Sequence, residues 1–293
     1  MRGAANAVMQ LTDAQKSRGV VTHSSGNFAQ ALSLAAKKAG IKAFIVMPNT
    51  ASQVKKNAVK SYGGEIIECE PTLMARVNAA KKIENEKGAV FIHPYNDMSV
   101  ILGQGTCAKE LLEEQPDLDY IFTPIGGGGL ISGTILSAKY FGNNCKVVGG
   151  EPFEADDAYR SLLSGIIEPN ATTNTIADGL KTQLGDINFP IIQQGVDKII
   201  RVTETEIINA MRIIWERLKI VSEPSSAVAL AALLKEKELY KNKSIGVIIS
   251  GGNVDLNKLP FNPKNSGLDY KKSYSCCLSA YWLSFIKNLC TQN

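Results

Sequence analysis

Short apolar runs alternate with amphipathic stretches along most of this sequence, and no other feature restricts its fold as strongly. Gly19-Val20-Val21-Thr22 reads as a strand, and Asn27 to Ala39 as a helix with Phe28, Ala31, Leu32 and Ala35 on one face. Ala43 to Met47 is a second strand, stopped by Pro48, and a helix over Ser52 to Ser61 leads to Gly63-Gly64 and a strand at Glu65-Ile66-Ile67. A helix over Thr72 to Glu86 and a strand over Ala89 to Ile92 complete this set. Parallel strands need crossover helices, so the alternation predicts parallel sheets covered by helices.

The pattern restarts after a break near residues 95–98. A helix over Ser99 to Glu114 precedes a strand at Tyr120 to Ile125, which runs into four glycines. A helix over Leu130 to Tyr140 and strands at Lys146-Val147-Val148 and Ile245 to Ile249 make a second α/β unit. The expected fold is α/β, with two open parallel sheets, flanking helices and a functional cleft between two domains. Residues 19–96 are expected to form the small domain, and 1–18 with 97–260 the large one. Asn262 to Gly267 reads as a linker into a tail, 261–293, expected to be poorly ordered. There Leu278, Trp282, Phe285 and Leu289 either line a docking helix or belong to an extension without a fixed role.

Composition removes several function classes. The 32 basic and 28 acidic side chains are dispersed, with no five-residue basic run, so no nucleic-acid partner is expected. No run of roughly 18 apolar residues exists, so no membrane span is expected either. The N-terminus, Met1-Arg2-Gly3-Ala4-Ala5, carries no secretory pattern, and a cytoplasmic protein with reduced thiols is the expectation. Six cysteines without C-x-x-C spacing and only two histidines give little basis for zinc.

Three turns carry the chemistry. Thr123-Pro124-Ile125-Gly126-Gly127-Gly128-Gly129-Leu130 takes a strand through glycines into a helix, which directs free N–H groups and a helix N-terminus at one spot. That arrangement suits a phosphate. It is neither a P-loop, because Thr134 stands where lysine is required, nor a G-x-G-x-x-G turn, because Ile131 and Ser132 occupy the third-glycine positions. Thr22-His23-Ser24-Ser25-Gly26-Asn27 again joins a strand to a helix, with Ser25 and Asn27 placed to take a carboxylate or to cap the helix. His23 reads as a strand-end residue. Ile249-Ser250-Gly251-Gly252-Asn253 is a third glycine turn, on its own no more than a β–α connection.

Taken together these turns resemble the serine/threonine dehydratase and serine racemase family of pyridoxal-phosphate (PLP) enzymes, which have the tryptophan-synthase-β fold. The resemblance spans about residues 2–259. It rests on Arg2-Gly3-Ala4, Ser24 to Asn27, Gly103-Gln104-Gly105-Thr106, the tetraglycine, Thr175-Ile176-Ala177-Asp178-Gly179 and Ser250 to Asn253, matched in order and spacing. It implies that Gly126, Gly127, Gly128 and Gly129 hold the PLP phosphate, Asn27 the ring hydroxyl oxygen and Ser250 the pyridine nitrogen. Ser24, Ser25, Gly26 and Asn27 bind the substrate carboxylate, and Ser25 is the catalytic acid–base on the ring face opposite the lysine. The implied activity is an ammonia-lyase, a racemase or both, acting on L-serine or L-threonine, in a homodimer when the chain is complete. Glu151-Pro152-Phe153-Glu154-Ala155-Asp156-Asp157 resembles the cation site of the racemase branch, with Glu151, the Ala155 carbonyl and Asp157 as ligands of Mg²⁺ or Ca²⁺; an acidic helix start is the other reading.

The sequence departs from the family at its start. The family motif is Ser-Phe-Lys-x-Arg-Gly-Ala, and with Arg2 in register the Schiff-base lysine precedes Met1. Phe28 stands where a histidine is common. The resemblance therefore also implies an N-terminally truncated chain, inactive as written. The alternative is a non-catalytic PLP-binding relic or an interaction protein.

Overall fold

The computed structural model describes residues 1–261, and the expectations for 262–293 lie outside the described residues. The chain opens with α1 (Arg2–Met9) and α2 (Asp13–Arg18), the latter closed at its N-terminus by a Thr12–Gln15 capping box. Then follow β1 (Val20–His23), α3 (Asn27–Lys38), β2 (Ala43–Pro48), α4 (Gln53–Ser61), β3 (Glu65–Cys69), α5 (Leu73–Lys87) and β4 (Val90–Phe91). These strands form one parallel sheet in the order β3-β2-β1-β4, with Val20 opposite Ala43 and Val90.

A long helix, α6 (Met98–Glu114), leads into the second set: β5 (Tyr120–Pro124), α7 (Gly129–Phe141), β6 (Lys146–Pro152) and α8 (Asp157–Ser164). After these come α9 (Asn188–Gly195), β7 (Val196–Val202), α10 (Glu204–Ile213), α11 (Pro224–Lys235) and β8 (Ile245–Val247). The second sheet is also parallel throughout, in the order β7-β6-β5-β8. Two four-stranded parallel sheets with flanking helices are the architecture that the alternation predicts. Among the described residues no helix is long and apolar enough to cross a membrane.

Several boundaries differ from the sequence reading. The last strand stops at Val247 rather than Ile249. Ile248 still donates to the Phe122 carbonyl, but the N–H groups of Ser250 and Gly251 turn away to the Ser226 hydroxyl. Of the face read on α3, Leu32 and Ala35 are buried and Phe28 and Ala31 are half-buried against the same core, while Ala29, Ser33 and Ala36 are buried as well. That helix touches α1 as well as its own sheet, which widens its contact face to include Ala29 and Ala36.

Helix α11 is apolar nearly all round because it lies under β5, β6 and β7 and against α10, covered on every side. It meets Phe122 of β5, a fully buried ring that packs edge-on to Tyr240 with centroids 5.0 Å apart. Since β5 carries the tetraglycine, this packing holds the position of the turn. Phe122→Ala is expected to lower the unfolding free energy by about 3–5 kcal/mol, read as a fall in the urea midpoint with an unchanged slope.

Candidate functional site

Parallel strands place all their carboxyl ends on one edge, and every turn singled out in the sequence lies there. Ser24 to Asn27 follows β1, Gly126 to Gly129 follows β5, Glu151 lies near the end of β6, and Ser250 follows β8. This edge is the usual ligand position in open α/β sheets.

The turns at Ser24 to Asn27 and Ser250 to Asn253 are tied directly to each other across 226 residues of chain. Asn27 Nδ2 donates to Glu223 Oε1 at 2.7 Å, and the Asn253 amide N–H donates to Glu223 Oε2 at 2.9 Å. Asn253 Nδ2 also donates to Asn27 Oδ1 at 2.7 Å. Glu223 is only 3% exposed, and burial raises its carboxyl above the ordinary glutamate value. Ser226 Oγ accepts from Ser250 N at 2.7 Å, which fixes the serine's backbone and leaves its side chain exposed. The Ser25 hydroxyl is half-buried and has no hydrogen-bond partner among the described residues. Ser24 Oγ accepts from Gly26 N at 3.3 Å, which tightens the turn.

Glu223 was not singled out in the sequence. An acid directly before Pro224 reads as the cap of α11, yet its side chain makes no cap bond and reaches across to Asn27 instead. A glutamate that leaves its own helix end uncapped carries no local signal of that role.

The tetraglycine lies beside this cluster. A β-carbon on Gly126 would meet Leu180 Cα and the Gly179 carbonyl at 3.0 and 3.1 Å, and Gly179 N is held by Ser225 Oγ at 2.9 Å. Gly128 has φ +93°, and a β-carbon on Gly127 would lie 2.3 Å from the Tyr95 ring. Both positions therefore demand glycine. The first internal bond of α7 comes from Ser132 N to the Gly128 carbonyl. Among the described residues nothing accepts from the N–H groups of Gly126, Gly127 or Gly128, although all four glycines are buried. Buried donors without partners beside a helix N-terminus fit a phosphate group.

Tyr95 sits on a loop, 93–96, that leaves the first sheet and closes over this turn. Its carbonyl accepts from Asn188 Nδ2 at 3.0 Å, and the same amide donates to the Gly127 carbonyl at 3.0 Å. Asn96 Nδ2 donates to Asp186 at 2.7 Å. His93 Nδ1 shapes the loop by accepting from Asn96 N at 2.9 Å, which places the ring proton on Nε2. His23 and Tyr95 stack edge-on against His93. Burial, and then the neighbouring His23, push the His93 imidazole down to about 4.

The proposed cation ligands meet at the start of α8. Glu151 and Asp157 are fully buried and Ala155 is 1% exposed. Glu151 accepts from Ala158 N at 2.9 Å and Tyr159 N at 2.8 Å, so it does serve as an acidic helix start. Asp157 Oδ2 accepts from Leu184 N at 2.8 Å, whereas Asp157 Oδ1 is buried with no partner. Burial and the neighbouring Asp157 raise Glu151 well above its ordinary value, and burial pushes Asp157 up to about 6. Among the described residues no group of three or more His, Cys, Asp or Glu is arranged as metal ligands. A site here therefore depends on the Ala155 carbonyl as its third donor. Two buried carboxylates with one orphaned oxygen fit a hard cation.

Residues 1–251 match the family model described as pyridoxal-phosphate dependent enzyme. The chain is 50% identical over 262 residues to the β-hydroxyaspartate dehydratase of Paracoccus denitrificans, covering 89% of this chain and 83% of that protein. The crystal structure of serine racemase from Dictyostelium discoideum superimposes with a TM-score of 0.83 at 50% identity, covering 87% of this chain and 83% of that one. Threonine deaminase isoform 2 from Solanum lycopersicum gives 0.86 at 34% identity, over 91% and 79% of the two chains.

The depressed His93 value fixes the sign of one pH effect. Its neutral ring contributes stability that is complete above about pH 6.5 and is lost as the pH falls toward 4. Melting temperature should therefore drop over that window, and less steeply in His93→Asn, whose side-chain carbonyl still accepts from the loop. An equal drop in both proteins would assign the acid sensitivity to other groups.

Proposed function

The chain belongs to the pyridoxal-phosphate-dependent enzymes, and from that premise we propose that it binds PLP and serves elimination or racemisation of a β-hydroxy-α-amino acid. Serine and threonine are the simplest members of that substrate class. The observation that carries the reading is the Asn27–Glu223–Asn253 junction, which brings two turns from separate sheets together beside the buried glycine donors.

Roles follow from what each group has left to offer. Gly126 to Gly129 and the α7 N-terminus take the phosphate through N–H groups that have no acceptor in the protein. One Asn27 amide hydrogen is taken by Glu223, which leaves the other for the ring hydroxyl oxygen. Ser250 is pinned by its backbone and presents a neutral hydroxyl to the pyridine nitrogen. When bound, PLP supplies the electron sink that makes the substrate α-proton acidic. Ser24 and Gly26 hold the substrate carboxylate. Ser25, with its hydroxyl uncommitted, exchanges the α-proton on one face. The opposite face belongs to the lysine of the family motif, whose position is one residue ahead of Met1.

The test adds an upstream segment ending in Ser-Phe-Lys ahead of Met1 and compares this protein with the 293-residue chain. The extended protein should bind PLP with a visible-absorbance change and release keto acid from L-serine or L-threonine. The 293-residue chain should do neither to a comparable degree. In the extended protein, Ser25→Ala should suppress racemisation about 10²–10⁴-fold while dehydration falls much less. Equal loss of both, with PLP still bound, would reduce Ser25 to a substrate-positioning role. Turnover by the unextended chain would require another amine to hold the cofactor.

For the cation, Glu151, the Ala155 carbonyl and Asp157 are the proposed ligands of Mg²⁺ or Ca²⁺. Adding either ion should raise the melting temperature by mass action, and Glu151→Gln should remove that rise. An unchanged rise in the variant would place the ion elsewhere.

A further inference from the structure

Two cavities lie on the opposite edge of the first sheet from the motifs. One, of about 510 Å³, opens at the amino ends of β1 and β2, where Lys16, Arg18, Lys42 and Lys87 converge around Phe44. A second, of about 460 Å³, shares Arg18 and is lined by Lys81 and Gly88 but also by the acidic Glu84. The first has no acidic side chain in its wall.

The four cations are not spent on other partners. Lys16 has Asp13 at 3.8 Å, a long contact with the aspartate fully in solvent. Arg18, Lys42 and Lys87 have no carboxylate within ion-pair distance among the described residues. Lys87 Nζ instead lies 5.0 Å from the centre of the Phe44 ring. Arg18 is placed by packing: a β-carbon on Gly88 would meet its Cδ at 2.8 Å.

A local explanation exists and falls short. α2, α3 and α5 end on this edge, and cations suit helix carboxyl ends. Each end carries only about half a unit of negative charge, so three of them offset less than two of the four cations. The cavity stays positive even with Asp13 counted. Like charges brought together without a counter-ion repel, which a bound anion relieves.

We propose that this cleft is an anion-binding site, separate from the cofactor site, that takes a small polyanion carrying two or more phosphoryl or carboxyl groups. A single charge has too little attraction to hold at an open, solvated surface. A polyanion can reach Arg18, Lys42 and Lys87 at once, and a guanidinium can bind one of its anionic groups through two N–H donors.

Tripolyphosphate is the probe, and calorimetric titration the measurement, made on the upstream-extended protein loaded with PLP so that the glycine turn is filled. Binding is expected, and it should weaken steeply as salt rises. Arg18→Gln/Lys42→Gln should lower the affinity on the order of tenfold or more, whereas Lys109→Gln on α6 should not change it. Thermal melts of each variant without ligand show whether it is folded. If the double variant is not, Lys42→Gln and Lys87→Gln singly carry the test, each changing an exposed side chain. Absence of binding, or equal affinity in the folded variants, would overturn the proposal; the second result would place the anion elsewhere on the protein.

Discussion

A buried carboxylate holds the two sheets in register at the site. Glu223 accepts from Asn27 on the first sheet and from Asn253 beyond the last strand of the second. Hydrogen bonds to a charged group contribute about 1.5–3 kcal/mol each, more than neutral ones. The solvent-exposed pair between Lys55 and Asp178, 2.9 Å apart, also joins the two halves, but exposed pairs contribute about 0–1 kcal/mol. The Glu223 junction therefore sets the relative position of the turns, and the surface pair only follows it.

The junction explains how ordinary residues become a site. Asn27 and Ser25 are unremarkable at a helix start, and Ser250 at a glycine turn. Held together, they present one spare amide hydrogen and two free hydroxyls beside the donors at Gly126 to Gly128. Tyr95 and Asn188 brace the glycine turn from behind, so its unpaired N–H groups are kept in place. Such preorganised donors need no rearrangement when a negative group arrives. The start of α8 follows the same logic with opposite charge, where an unpaired Asp157 oxygen is kept buried by the Leu184 bond to its partner oxygen.

What was legible in the sequence was local. Alternation with the strand period and the helix period marked β1, β2, β5, α6 and α7, because a strand or helix buries its own face whatever lies beyond it. Edges were less legible. β8 ends where Ser226 captures two N–H groups from 24 and 25 residues away. The buried face of α3 is wider than its period marked because α1 packs on it as well.

By itself, the sequence determined the chemistry of each turn: glycines where N–H groups stay bare, hydroxyls and an amide at the ends of β1 and β8, carboxylates at the start of α8. Those choices act over a few residues, within reach of backbone sterics and hydrogen-bond inventory. Only the tertiary structure decided that Glu223 meets Asn27, that Tyr95 closes over Gly127, and that four dispersed cations share one cavity. Each of these contacts depends on sheet order and helix layering, which bring together residues tens to hundreds of positions apart that carry no mark of each other in the chain.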